Sequence, residues 1–350
     1  MKKILFSMIL CIAAPSVLFP QNWGLEWDTA VGVPFRIGVG TGFEDHFGLL
    51  VPRQAAQLRM ACGYEYDIHS WYGLGPDTKE ADESGNEANL LYFNDLYFLF
   101  AVEQVLVEGK TELEYEISAG FRNVSRLMVP FEWAGKQLFE SGYRTGDSPC
   151  MNHSPAFFFE ATWIDDVFWT TKGFRLYAEI GLEGGNDFEE NTWALYTSKQ
   201  EMDFWLPMSA EKLFLHFALN GDFILAPIAG ETPFFIYPNL DPGSIRSLDH
   251  SYFDCCALSA RLELISRVFE FDLLCPMSMD FGLFCDAGML AETITRFQGD
   301  KAFITFGGFM ELKADFYSFA VSVQVGTAAR ISYNAAGDRE LIPGIYFRID

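Results

Sequence analysis

The chain has 350 residues, half of them hydrophobic and 16% aromatic, with 48 acidic against 24 basic side chains and a formal net charge of -24 at pH 7. So apolar a chain is not disordered. So acidic a chain excludes a nucleic-acid partner, because phosphate binding needs clustered Lys and Arg; it suits acidic loops and an acidic lumen.

Lys2 and Lys3 precede an uncharged apolar stretch from Ile4 to Phe19 and then the polar Gln21 and Asn22. This is the layout of a secretory signal peptide. Residues 1–21 are therefore expected to be a leader for the Sec route, and residues 22–350 a single domain whose first strand begins near Asp28. The stretch is shorter than the roughly 20 residues of a spanning helix, and the rest of the chain holds nothing comparable. Cys11 comes after Leu10, where a lipidation site wants a small residue. The other six cysteines (Cys62, Cys150, Cys255, Cys256, Cys275 and Cys285) show no zinc-like spacing, so neither a metal nor a cofactor is expected.

Beyond the leader, segment after segment alternates with a period of two. In a strand, successive side chains point to opposite faces, so a sheet with lipid on one side and water on the other must read apolar, polar, apolar, polar. Ala56 to Asp67 separates Leu58, Met60, Tyr64 and Tyr66 from Gln57, Arg59, Glu65 and Asp67. The segment from His69 to Asn89 is acidic and Gly-rich and reads as an exposed loop, whereas Glu108 to Thr111 reads as a tight hairpin turn. Glu112 to Arg122 places Leu113, Tyr115, Ile117 and Phe121 opposite Glu112, Glu114 and Glu116, three carboxylates that must face water. Phe174 to Glu183 opposes Phe174, Leu176, Ile180 and Leu182 to Arg175, Tyr177, Glu179 and Glu183. Ser318 to Gly326 opposes Phe319, Val321, Val323 and Val325 to Ser318, Ser322 and Gln324. Runs of this length match the 9 to 11 or so residues of a transmembrane strand and exceed the strands of soluble sheets. The expected fold is all-β, a transmembrane antiparallel barrel of 14–16 strands. Nine strands precede residue 227 and five come after it, and the long segment 227–251 between them folds into the lumen. Tyr64, Tyr66, Trp205 and Phe316, near run ends, are candidates for interfacial girdles.

The C-terminal third carries three motifs in order: PFFIYPNLDPGSIRSL from Pro233 to Leu248, SARLEL from Ser259 to Leu264, and FCDAG from Phe284 to Gly288. Their order resembles the bacterial surface antigen superfamily, the barrels of outer-membrane assembly factors and two-partner-secretion translocators. That family has an inward-folded loop with a Val-Arg-Gly-Phe/Tyr tip. Here the tip reads Ile245, Arg246, Ser247, Leu248, keeping the arginine and departing at the glycine and the aromatic. SARLEL resembles the strand after the loop, and FCDAG the family's Phe-x-Asp-x-Gly on the next strand. Alternation puts Phe284, Asp286 and Gly288 inside and Leu283, Cys285 and Ala287 outside. An arginine carried into a lumen needs a carboxylate, because an unpaired, partly desolvated charge is costly. Asp286 is the expected partner, and Glu263 shares the load. The periplasmic polypeptide-transport-associated domains usual in the family have no counterpart between the leader and the first strand.

The function this resemblance implies is translocation, insertion or anchoring of polypeptide or lipid at the bacterial outer membrane. Partners would be outer-membrane lipid and a separate periplasmic protein. The alternatives are a porin-like diffusion channel, cation-preferring if Glu112, Glu114 and Glu116 line its lumen, and a secreted soluble β-protein. Those three glutamates read as a wet strand face before they read as a metal site. The five histidines (His46, His69, His153, His216 and His250) have no recognisable catalytic spacing, although His216 lies on a polar strand face, so no catalytic residue is assigned and an enzyme is not expected.

Overall fold

The computed structural model describes residues 56–349 apart from 72–88, 131–148, 167–168, 188–190, 210–211, 242–243, 247, 249–251, 273–274, 298–301, 316–319 and 334–338. The expected leader and first strand therefore lie outside the described residues.

The strands are β1 Ala56–Trp71, β2 Asn89–Lys110, β3 Glu114–Pro130, β4 Cys150–Ile164, β5 Gly173–Asp187, β6 Thr192–Ser209, β7 Leu213–Ala229, the short β8 Asn239–Leu240 and β9 Tyr252–Phe253, then β10 Cys256–Asp272, β11 Pro276–Ala291, β12 Phe303–Asp315, β13 Ala320–Tyr333 and β14 Arg339–Ile349. Twelve of them form one sheet in chain order, β1 to β7 and then β10 to β14, every pair antiparallel. The meander is the simplest solution for a chain whose hairpin neighbours all carry matching alternation. Seven long strands among the described residues precede residue 230 and five come after it, each of the five overlapping its expected place.

The two faces differ as the alternation requires. Leu96, Phe98, Phe157, Ile180, Leu182, Leu206, Leu283, Phe306 and Val325 are exposed on one face. The other face carries the buried Asp95, Glu103, Glu201, Glu263, Arg267, Asp280, Asp286 and Gln324. An apolar exterior around a charged interior, on strands of this length, is the wall of a membrane-spanning β-barrel. Along the exterior, Tyr115 stacks on Trp163 at 4.7 Å, Trp163 on Phe174 at 6.3 Å, and Phe174 lies 6.0 Å from Phe204. These aromatics sit on four consecutive strands at the level of the short turns, forming an interfacial girdle. Trp205, expected in that role, faces inward and stacks on His216 at 5.0 Å. It is Phe204, one residue earlier and so on the opposite face, that joins the girdle. Phe316 lies outside the described residues, and of β1, with Tyr64 and Tyr66, only the strand and its register are described.

Three boundaries move, the first at β1, which runs through His69 to Trp71 where the acidic loop is expected to have begun. The β2–β3 turn is Thr111–Leu113 rather than Glu108–Thr111, because Lys110 and Glu114 close the ladder as partners of opposite charge. Glu112 thus leaves the strand. At the other end, β7 continues through Pro227 to Ala229, beyond the expected start of the long loop at 227. A proline cannot donate to the ladder, and the bulge between Ala194 and Leu195, facing it on β6, accommodates the lost bond.

Candidate functional site

The loop that enters the barrel starts at Gly230, whose φ of +70° turns the chain off the end of β7. A Cβ there would lie 1.7 Å from the Thr192 carbonyl oxygen, so only glycine fits. Phe235 then packs edge-on against Trp193 at 6.0 Å. Phe235, Ile236, Tyr237, Phe253 and Cys255 join Met128, Cys150, Trp193, Leu195 and Ile224 in one apolar cluster, which ties the loop to β3, β4, β6 and β7. A second cluster of Leu240, Ile245, Leu248, Tyr252, Ala257 and Leu290 ties it to β10 and β11. The loop therefore lies across the interior, in contact with both arcs of the wall.

Its tip is locally determined. Asp241 and Ser244 cap each other: the Ser244 amide donates to Asp241 Oδ1 at 2.5 Å, the Asp241 amide donates to Ser244 Oγ at 2.9 Å, and the Ile245 amide donates to the Asp241 carbonyl at 2.9 Å. This single turn presents Ile245 and Arg246, which are 0% and 1% exposed.

Arg246 meets Asp286 with both edges of its fork. Nε donates to Oδ2 at 2.8 Å, the terminal Nη2 to Oδ1 at 2.6 Å, and the backbone amide adds 3.1 Å to Oδ2. Its Nη1 donates to Glu263 Oε1 at 2.7 Å and reaches Gln324 Oε1 at 3.4 Å. The guanidinium plane lies over Phe284, 3.7 Å from the ring centroid, with Phe309 at 5.5 Å and Tyr346 at 6.0 Å. Bidentate pairing with a carboxylate and planar stacking on an aromatic ring are geometries that a guanidinium meets and a lysine ammonium does not. Burial alone would pull the guanidinium's pKa down, but Asp286 and Glu263 carry it above its ordinary value.

The wall is shaped to receive this group. A Cβ on Gly282 would lie 2.2 Å from the Phe309 ring, and one on Gly326 would lie 2.6 Å from Tyr346. The rings that surround the guanidinium thus lie flat on glycine backbone of the neighbouring strand. Gly288 faces the tip directly, since a Cβ there would be 2.8 Å from Leu240 and 3.1 Å from Ile245. The structure so brings together all six residues of the expected loop contact: Ile245, Arg246, Glu263, Phe284, Asp286 and Gly288.

Sequence reasoning did not reach Gln324, Phe309, Tyr346 or the role of His216. Alternation gave Gln324 its face, but nothing in the spacing tied it to Arg246. His216 Nδ1 lies 2.6 Å from Glu263 Oε2 and Nε2 lies 3.0 Å from Asp203 Oδ1, partners 47 and 13 residues away in the chain.

The expected acidic row is displaced. Glu112 is an exposed turn residue 3.7 Å from Lys172, Glu114 pairs with Lys110, and Glu116 is exposed near the start of β3. They sit at the rim. The carboxylates along the β3–β7 wall are matched locally instead. Arg122 bonds Glu179 at 2.6 Å, Arg175 bonds Glu160 at 3.0 Å, and Lys199 lies 3.1 Å from Glu201. Glu183 accepts from Asn152 and Ser154 at 2.6 and 2.7 Å. Among the described residues no three His, Cys, Asp or Glu side chains gather as a metal site.

No family model matches the chain, and no curated protein matches it. Among solved structures it is similar to the crystal structure of BamA from Haemophilus ducreyi lacking POTRA domains 1–3, at 12% identity and a TM-score of 0.49, over 91% of this chain and 62% of that one, so it spans less than two thirds of that protein's length.

Proposed function

We propose that this protein is a bacterial outer-membrane barrel of the surface antigen type. It takes part in translocation, insertion or anchoring of polypeptide or lipid, and the Gly230–Cys255 loop acts as an internal plug latched by Arg246. The observation that carries this reading is the Arg246 site: a loop arginine held by two carboxylates, an amide oxygen and three aromatic rings from β10 to β14. So many convergent contacts are not needed to park a surface loop. They suit a lumen that is closed at rest and opens only when something competes for the loop.

Bilayer lipid around the apolar exterior and a separate periplasmic protein that delivers cargo are the partners this role requires. The reading is one of binding and transport rather than catalysis, and the engagement of both His216 nitrogens by carboxylates supports that. A freely open porin is the weaker alternative, because the loop's apolar clusters occupy the interior.

The test is Arg246→Ala reconstituted in planar bilayers. We expect a higher single-channel conductance than wild type, with heat-modifiable gel migration showing that the barrel has assembled. An assembled variant with wild-type conductance would overturn the plug.

A further inference from the structure

His216 lies on β7, the strand that leads into the loop, and its ladder partner on β10 is Glu263, the second carboxylate on Arg246. Both ring nitrogens face carboxylate oxygens, Glu263 at 2.6 Å and Asp203 at 3.0 Å. Only the imidazolium donates at both nitrogens; neutral imidazole presents one N–H and one lone pair. Trp205, its partner on β6, covers the ring in a near-parallel stack at 6°, so that water has no easy route to replace a lost bond.

Among the described groups in contact with Glu263, Asp203 and Asp286, the charges balance with that proton in place. Asp203 on β6, Glu263 on β10 and Asp286 on β11 are three carboxylates. Arg246 from the loop and Arg261 on β10, 3.7 Å from Asp286, supply two cations. His216 supplies the third. Arg175 on β5, the ladder partner of Asp203, is engaged by Glu160, and Glu201 on β6 by Lys199; Tyr346 on β14 is uncharged. Removing the imidazolium proton leaves an excess carboxylate in a buried cluster, and the carboxylate facing the lone pair must move or find another donor.

We propose that protonated His216 is a positioning residue for the latch: it holds Glu263 against Arg246, and loss of its proton loosens the loop tip, coupling the plug to the pH of the compartment facing the lumen. This rests on the plug reading. Histidine is the side chain whose charge changes in the range a bacterial envelope experiences.

The experiment is single-channel recording of wild type and His216→Gln from about pH 5 to about pH 9. The wild-type open fraction should rise severalfold with pH. His216→Gln, which keeps a hydrogen-bonding side chain and cannot titrate, should be flat at the wild type's alkaline level. A variant with the wild-type slope overturns the proposal.

Asp254 at the loop's exit is the internal control. Burial, with Glu292 adding repulsion, raises its pKa above the usual carboxylate value. An aspartate so raised stabilises the fold while protonated and ceases to as pH rises through its raised value, which makes it the rival source of a slope of this sign. With His216 as the source, Asp254→Asn keeps the slope, and abolition of the slope by that variant also overturns the proposal. If His216→Gln does not assemble, hydrogen exchange in wild-type residues 233–248 decides. Protection that falls with pH beyond the intrinsic chemistry supports the switch, and constant protection refutes it. Arg246→Ala separates the two levels: if that variant conducts more while His216→Gln keeps the slope, the plug stands and the switch falls.

Discussion

The two arcs of this barrel handle buried charge differently. From β10 to β14 one set of interior charges converges on a group brought from outside the sheet, Arg246, with the ring of Phe309 lying on Gly282 beside it, while Arg267, Asp280, Lys313 and Glu311 pair among themselves. From β3 to β7 the charges are settled in short cross-strand sets, Arg122 with Glu179 and Arg175 with Glu160, each complete without the loop. A wall of local pairs is stable by itself. A wall with two carboxylates and an aromatic cage awaiting a cation gains more from a docked loop, so the loop is held by charge on one arc and, on the other, by apolar contacts and a backbone bond from the Ile224 amide to the Cys255 carbonyl.

The sharpest way to break that contrast is to remove one partner on each side. Asp286→Ala leaves the guanidinium buried without its main acceptor and should cost about 3–5 kcal/mol, read as a large fall in the temperature at which the folded gel band is lost. Glu179→Ala should cost about 1–2 kcal/mol, the scale of a charge-assisted bond, since Arg122 is more accessible and can turn to water. Equal losses would end the distinction between the arcs.

Next in size is the cage. Gly282→Ala drives a methyl into the Phe309 ring and should cost about 1–3 kcal/mol by overpacking. Gly308→Ala meets nothing nearer than the Gly282 oxygen at 3.5 Å and should stay within about 0.5 kcal/mol by the same thermal shift. Smallest is Lys110→Ala at the exposed hairpin end, expected to change stability by a few tenths of a kcal/mol at most, as for exposed ion pairs generally.

Much of this contrast could be read before the structure, and for a physical reason. A period of two assigns every strand residue to lipid or lumen, which is why Asp286 and Leu283, or Glu179 and Ile180, fall on the correct faces. Desolvation cost then demanded a carboxylate for Arg246, and the motif order pointed to Asp286. Alternation failed where a strand ends. It carried Glu112 into a strand that starts only at Glu114, and it did not decide that Trp205 turns inward, since a tryptophan suits either face. The His216 pairing was beyond reach, because contact between β6, β7 and β10 depends on how far the loop displaces two strands in sequence while leaving them neighbours in the sheet.

The reciprocal bonds between Asp241 and Ser244 bear on how the loop comes to be docked at all. Their partners are three residues apart, so the turn that presents Arg246 can close as soon as it is synthesised, long before distant strands find their register. Fewer torsions then remain to be frozen when the arginine meets its acceptor. Docking then waits only on β10 and β11, which carry the two carboxylates that receive the arginine.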